Sequence, residues 1–468
     1  MAVDDPSMPV VPAAVHAAPP DGGRARDDKA FRRRLVSVGH LLSGNGITAV
    51  LGLVGVAITA RSLGPADYGI LALIVSYVRV FDRLMRFESW QPLIKYAAET
   101  GHPPEGRIER LRALFAFGLW LDVSACTAAA FSAILLAWAC APLLGMSATH
   151  IGLVIINCGT LLLNISGMPT AALRLAGQFR TIAYVQVASS VVRILLCAIG
   201  FWSGGGLLFF VIAWTASQII SSLLFLGIAL LVLRRQGIGS LHRVPLRGMT
   251  RQFPGIMGFA WSSSFSISIR SSSMELDVLI VGALADTRSA GLYFVAKQVA
   301  KMVQQACGQV QAVLYPDVAR LWAQRSFVQF RRAIVQVQAV LDIFAVLAIA
   351  TLFACGRTLI ELGVGRAFGD AYPLVLVQMV ALGFTMHAAP LRSALLAMGE
   401  QRAILRIVLW STLLFQLLAF ALVPWIGAMG ANVAHVVLAV TSAVAMERRA
   451  RRRFRIVTAE SEPRPVSG

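Results

Sequence analysis

The chain has 468 residues, 57% of them hydrophobic and only 14% charged, with a mean hydropathy of +0.71. A soluble globular domain carries about 25% charged residues, so this composition excludes one and describes an integral membrane protein. The formal charge of +19 argues for anionic lipid at one membrane face and against a nucleic-acid partner, because the basic residues sit between apolar runs and not on a soluble surface.

Residues 1–34 are rich in Ala, Pro, Asp and Arg and read as a disordered cytoplasmic tail with no cleavable secretion signal. Apolar runs then recur at 38–60, 69–93, 112–138, 150–171, 181–202, 206–233, 254–284, 290–314, 333–355, 371–397, 403–424 and 427–446. Each is long enough to cross a hydrocarbon core of about 30 Å as a helix. The expected fold is therefore an all-α integral membrane protein with about 12 transmembrane helices.

Lys and Arg cluster in every second connection: in RARDDKAFRRR, 95–112, 174–180, 234–251, 320–332, 392–406 and RRARRRFR. The alternate connections hold Arg61, Arg288, Arg357 and Arg366. By the positive-inside rule both termini face the cytoplasm, and the number of crossings is even. The six cysteines, Cys126, Cys140, Cys158, Cys197, Cys307 and Cys355, lie singly in apolar helices. No CxxC or His spacing implies a metal or cofactor, so they read as small core residues.

An internal repeat appears when the chain is laid against itself. Gly69 of LGPADYGIL falls on Gly291 of ADTRSAGLY, 222 positions later, and at the same offset ALRLAGQFR (172–180) falls on ALLAMGEQR (394–402) and Arg110 on Arg332. The reading is two parallel-repeat six-helix lobes around a central cavity. The lobes are 35–233 and 254–446, joined by a basic cytoplasmic linker at 234–253 and followed by a basic cytoplasmic tail at 447–468.

Charge inside the apolar runs locates the candidate site. Arg79 lies about 15 Å into the second helix, near the bilayer centre, and Arg79, Asp82, Arg83 and Arg86 share one helical face. Polar stripes recur on helix 5 (Gln186, Ser190, Arg193), helix 7 (Ser263, Ser266, Arg270, Ser273, Asp277) and helix 8 (Lys297, Lys301, Gln304 or Gln305). Arg79 and Lys301 are repeat equivalents. Each charge at a helix centre costs roughly 2.5–3.5 kcal/mol, so such residues should face a wet cavity or a counter-charge. Pairing of Arg79 with Asp82, and of Arg270 with Asp277 or Glu275, is one reading. The cations outnumber Asp82, Glu275 and Asp277, however, and the surplus points to an anionic ligand bound by Arg79, Arg83, Arg193, Arg270, Lys297 and Lys301. Asp82, Glu275 and Asp277 are candidates for ion coupling or charge pairing. His40, Asn45, Asn157, Asn164, Gln378, His387 and Gln416 read as helix-to-helix hydrogen-bonding residues.

The stretch ITARSLGPADYGILAL, the following IKYAAE, AGQFR after helix 4 and the GDAYP approach to helix 10 resemble the bacterial polysaccharide-biosynthesis flippases. These are the Wzx-type branch of the multidrug/oligosaccharidyl-lipid/polysaccharide exporter superfamily. The resemblance covers about residues 35–446 and implies a transporter of the bacterial inner membrane. It implies movement of an undecaprenyl-diphosphate-linked oligosaccharide between leaflets by alternating access, with membrane lipids and polysaccharide polymerase or export machinery as partners. The family supplies no strict site signature, so the cationic residues are chosen by depth and helical face. Many relatives have fourteen helices, against twelve here. A cation-coupled drug exporter of the same superfamily is the alternative, and it would want carboxylates at the cavity centre. An enzyme is not expected: the longest outer connection, CGRTLIELGVGRAFGD, holds Glu361 and Asp370 with no nucleophile or metal constellation.

Overall fold

The computed structural model describes residues 22–87, 89–99, 106–239, 241, 244, 252–261, 264 and 275–461, with side chains placed for all of these except 22–45, 99, 306–313, 315–317 and 458–461. The elements are α1 (Gly22–Met85), α2 (Trp90–Glu99), α3 (Arg107–Leu143), α4 (Ala148–Leu163), α5 (Gly167–Leu175), α6 (Phe179–Trp202) and α7 (Leu207–Arg235). They are followed by α8 (Leu276–Leu284), α9 (Thr287–Ala323), α10 (Phe327–Gly363), a 3-10 turn (Arg366–Phe368), α11 (Ala371–Ala397), α12 (Gln401–Ile426) and α13 (Ala428–Ser461). No strand occurs among the described residues.

Helix α1 is two crossings joined at a break. Gly64 takes φ 71° and ψ 174°, a conformation glycine adopts without penalty, and Pro65 both withholds an N–H and disfavours helix at the residue before it. Nine segments among the described residues are long and apolar enough to cross a membrane, the first running over both arms of α1 and into α2. Counting those arms separately gives ten, and charge-rich α9 is an eleventh helix of spanning length; the expected crossing at 254–284 lies partly outside the described residues. α1 is helical from Gly22, inside the stretch read as a tail, whereas residues 1–21 lie outside the described residues. α13 likewise continues to Ser461, its basic end supported by Arg451 on Glu447 (2.5 Å) and by Arg449 reaching Glu400, the residue just before α12 (2.7 Å). Much of the 234–253 connection is outside the described residues.

Two crossings are interrupted where hydropathy shows a continuous run. The helix entered at Pro65 stops at Met85 and resumes as α2, and the fourth crossing breaks between α4 and α5. Buried Asp122 of α3 ties both breaks together, accepting from Ser89 Oγ (2.5 Å) and from the Met168 amide (2.7 Å). The first turn of α5 has orphan N–H groups, so a carboxylate there replaces the hydrogen bonds that the break removes. Gly167 leaves the room, because a Cβ there would fall on Ser89 Oγ and 2.7 Å from Asp122 Oδ1.

In the first half, α1 packs against α6 and α3, and α4 against α3 and α7; in the second, α11 packs against α9, α10 and α13, and α12 against α13. The halves meet where α1 crosses α9. A Cβ on Gly69 would strike the Thr287 carbonyl, and a Cβ on Gly291 would strike the Pro65 carbonyl and lie 2.9 Å from the Gly69 amide nitrogen. The two contacts are reciprocal: Gly69 meets residue 287 while Gly291 meets residue 65, and each partner pair is 222 positions apart. Such exchange is the mark of an isologous contact on a two-fold axis, here a pseudo-axis relating the two halves of one chain. Small residues let the backbones approach closely, as in membrane helix pairs generally. Around the crossing, Tyr68 packs its ring 5.9 Å from Phe294 and from Phe368, Leu73 covers Gly282, and the Arg61 guanidinium donates to the Leu362 carbonyl.

This geometry predicts that Gly69→Ala or Gly291→Ala forces backbone apart and lowers the stability of the detergent-purified protein by about 1–3 kcal/mol, the usual range for overpacking. Gly152→Ala, which meets nothing within 4 Å, is neutral or slightly stabilising. Thermal unfolding midpoints of the three variants check this, and equal midpoints would refute the crossing.

Candidate functional site

The central helices set the site by where their contact ends. Residues 68–78 of α1 and 290–296 of α9 are all buried, and the missing side chain of Gly69 is what lets the two backbones touch. From Arg79 and Lys297 onward the side chains open: Arg79 is 32% exposed and Lys297 18%, and Arg83, Lys301, Gln304 and Gln305 are exposed. The helices thus close at the Gly69/Gly291 end and line a cleft at the other. Charged side chains from both lobes face that cleft, since Lys301 lies within electrostatic reach of Arg79, Arg83, Lys297 and Glu275.

The partners are not those suggested by neighbouring positions. Asp82 binds its own helical neighbour Arg86 (2.6 Å) and accepts from Asn164 (2.9 Å), so it is committed within the first lobe. Arg79 instead approaches Glu275 across the lobes at 3.9 Å, and Lys297 also reaches Glu275 at 3.6 Å. Lys297 is held more tightly by buried Asp277, at 2.7 Å. Asp277 completes its shell with the Tyr293 hydroxyl (2.9 Å), His435 Nε2 (3.2 Å) and the Val278 amide (2.7 Å). A fully buried carboxylate is tolerable when its lone pairs are occupied, and this one sits in a connected network across α8, α9 and α13.

Arg193 reaches the site from α6 behind the first arm of α1. Its guanidinium passes Gly52 and Gly55, where a Cβ would come within 3.4 and 3.6 Å of it, lies over the Trp214 ring at 5.5 Å, and senses the charge of Arg79. Its Nε is buried without a hydrogen-bond partner. Among the described residues no carboxylate pairs with Arg83, Arg193 or Lys301. The structure therefore brings Arg79, Lys297 and Lys301 near Glu275, with Arg83 beside Lys301 and Arg193 beside Arg79, a net excess of positive charge. Arg270 lies outside the described residues.

Sequence reasoning missed His435 and Tyr293, which hold Asp277, and Asp122. Asn432 and His435, one helical turn apart in GANVAHVV, were the available signal: Asn432 donates to the Leu374 carbonyl (2.8 Å) on α11. Of the expected bridging residues, Asn157 donates to Thr215 (3.0 Å) and His387 meets Asp342 (3.0 Å) and Gln338, whereas Gln378 leaves its Oε1 unpaired. The side chains of His40, Asn45 and Cys307 lie outside the described residues. Among the described residues no His, Cys, Asp and Glu group is placed to hold a metal.

Chemically, the cleft can hold a polyanion. Guanidinium and ammonium groups with too few counter-ions, set between low-dielectric walls, focus a positive potential, and Arg suits the paired oxygens of a phosphate.

The result is a two-lobed helical membrane bundle with a cluster of charged side chains near its pseudo-two-fold axis. The chain belongs to the polysaccharide biosynthesis protein family, whose model matches residues 58–373. It is 26% identical to the inner membrane protein YghQ of Escherichia coli (strain K12) over 353 residues, 74% of this chain and 97% of that one. Its fold is similar to an inward-facing multidrug resistance MATE family transporter of the MOP superfamily (TM-score 0.71, 14% identity, 91% of this chain and 100% of that one). It is equally similar to the lipid II flippase MurJ in an inward closed conformation (TM-score 0.70, 11% identity, 90% of each chain). These structural likenesses place the fold as a two-lobed, all-helical membrane bundle.

The Asp277 network yields a second expected outcome. Asp277→Asn removes the nearer counter-charge of the Lys297 ammonium and leaves only Glu275 at 3.6 Å, so it destabilises by up to about 3 kcal/mol, the lower end for breaking a buried pair. Adding Lys297→Met restores most of the loss, as read from thermal unfolding of both variants; equal loss in single and double variants would show that Lys297 does not depend on Asp277.

Proposed function

We propose that the protein is a flippase for an undecaprenyl-diphosphate-linked oligosaccharide, moving it from the cytoplasmic to the outer leaflet for surface polysaccharide synthesis. The observation that carries this reading is the cationic excess of Arg79, Arg83, Arg193, Lys297 and Lys301 at the open end of the central crossing. A diphosphate supplies the missing negative charge, and its polyprenyl tail stays in lipid while the head occupies the cleft. The positive-inside pattern puts both termini, and the open end beyond Arg79, on the cytoplasmic side; the Gly69/Gly291 crossing then seals the outer side. Arg79 and Glu275 belong to different lobes, so an arriving phosphate competes for Arg79 and loosens a cross-lobe contact at the moment of loading. Rocking of 35–233 against 254–446 would open the other side. The electrical gradient assists, since a negative charge leaving a negative interior gains up to about 2.3 kcal/mol per 100 mV. Polymerase or export machinery would consume the product.

A cation-coupled multidrug exporter is the second reading, favoured by a fold as similar to the MATE transporter as to MurJ. An organic cation would have to displace the cluster's own positive charge, which counts against it.

Arg79→Ala, Arg193→Ala, Arg270→Ala and Lys301→Ala separate the two. The flippase reading expects at least tenfold less surface glycan and accumulated lipid-linked precursor for one or more of the four at undiminished membrane protein level, and no wild-type effect on resistance to lipophilic cations. Normal glycan in all four, or raised drug resistance on wild-type expression, would overturn it.

A further inference from the structure

Away from the central cleft, α12 and α13 lie side by side and enclose a groove of about 610 Å³ whose walls come from these two helices alone. Its two ends differ in chemistry. At one end stand Arg406 near the start of α12 and Arg448, Arg449 and Arg452 beyond the apolar part of α13; at the other the lining is Trp410, Leu414 and small residues of α13. The spacing explains the alignment: 406, 410 and 414 recur every fourth residue along one face of α12. On α13 the groove positions 441, 445, 448 and 452 lie opposite the buried stripe Ala439, Ala443, Met446 and Ala450, so the groove opens away from the protein core.

Most of the charge there is uncompensated. Glu400 engages Arg449 at 2.7 Å and approaches Arg453 at 3.4 Å. Arg406, Arg448 and Arg452 have no acidic partner among the described residues. Nor does the architecture demand these cations. The pseudo-two-fold places Tyr184, Ala188, Leu226, Gly227 and Leu230 of α6 and α7 where α12 and α13 carry Arg406, Trp410, Arg448, Arg449 and Arg452. The same seam in the first half is without charge at these positions. Trp410 is 70% exposed at the boundary between the arginines and the apolar lining, the depth at which indole rings favour a membrane interface.

We infer that this groove binds an acidic glycerophospholipid of the surrounding leaflet, its phosphodiester on Arg406, Arg448 and Arg452 and its proximal acyl chain along Trp410 and Leu414. Length supports this occupant. Trp410 to Leu414 and Ala445 to Thr441 offer about one helical turn of apolar wall, roughly 6 Å, which suits the first part of an acyl chain. A zwitterionic head would bring its ammonium against three guanidinium groups, so the site discriminates by head-group charge. Each arginine near a membrane surface contributes about 1 kcal/mol towards anionic lipid, a factor of about five in affinity.

The test uses the full chain in nanodiscs, with the Trp410 signal taken as the difference between wild type and Trp410→Phe. Brominated-acyl phosphatidylglycerol is expected to quench that signal several-fold more than brominated-acyl phosphatidylcholine at equal mole fraction. The preference should fall about fivefold for each of Arg406→Gln, Arg448→Gln and Arg452→Gln. On wild type alone, unlabelled phosphatidylglycerol should relieve the quenching, while soluble glycerophosphate should not. Equal quenching by both lipids overturns the assignment. Relief by glycerophosphate, which would mark a free-phosphate site, or relief only by a polyprenyl diphosphate, which would mark a substrate-tail site, overturns it as well.

Discussion

A charged side chain in a hydrocarbon layer needs water, a counter-charge or a ligand, and the whole central structure follows from how this chain meets that need. Arg79, Arg83, Arg193, Lys297 and Lys301 stand where apolar residues would insert at lower cost. Two carboxylates, Glu275 and Asp277, compensate part of the charge. The remainder is tolerable because side chains become accessible just where the cations begin, at Arg79 on α1 and Lys297 on α9. The close approach at Gly69 and Gly291 fixes where the two helices cross, and the accessible cations lie beyond that crossing.

The pairing pattern gives the cleft distinct parts. Lys297 is anchored by the Asp277, Tyr293 and His435 network, which belongs wholly to the second half, so its ammonium is a fixed element of that lobe. Arg79 is held loosely, by Glu275 at 3.9 Å across the lobe boundary. Arg193 is threaded behind Gly52 and Gly55 and turned toward Arg79. A ligand that draws on Arg79 therefore acts on a contact between lobes, while one that draws on Lys297 acts within a lobe. The flippase we propose would need both kinds of contact, one to move and one to stay.

Much of this was legible in the sequence. The Gly64–Pro65 turn, the spacing of apolar runs and the coincidence of Gly69 with Gly291 are local or periodic signals, and they led to twelve crossings in two related halves. The place of Arg79 and Lys301 along their helices followed from counting residues. Partners did not follow, because Glu275 and His435 lie far along the chain from Arg79 and Asp277, and only packing brings them together. The proximity rule paired Arg79 with Asp82, whereas Arg86 and Asn164 take that carboxylate. Helix breaks before α2 and α5 were hidden for a related reason: hydropathy does not register that Asp122, on another helix, supplies the hydrogen bonds lost at the interruption.

The account rests on phosphate filling the charge deficit of the cleft, and equilibrium binding of a short-chain polyprenyl diphosphate to the purified protein in detergent measures this most directly. It predicts saturable binding that weakens steeply with added salt and is lost when Arg79 and Lys301 are both replaced by Gln, with the corresponding polyprenol, which has no phosphate, failing to compete. Binding of the polyprenol as strongly as the diphosphate, or unchanged binding in the double variant, would contradict it.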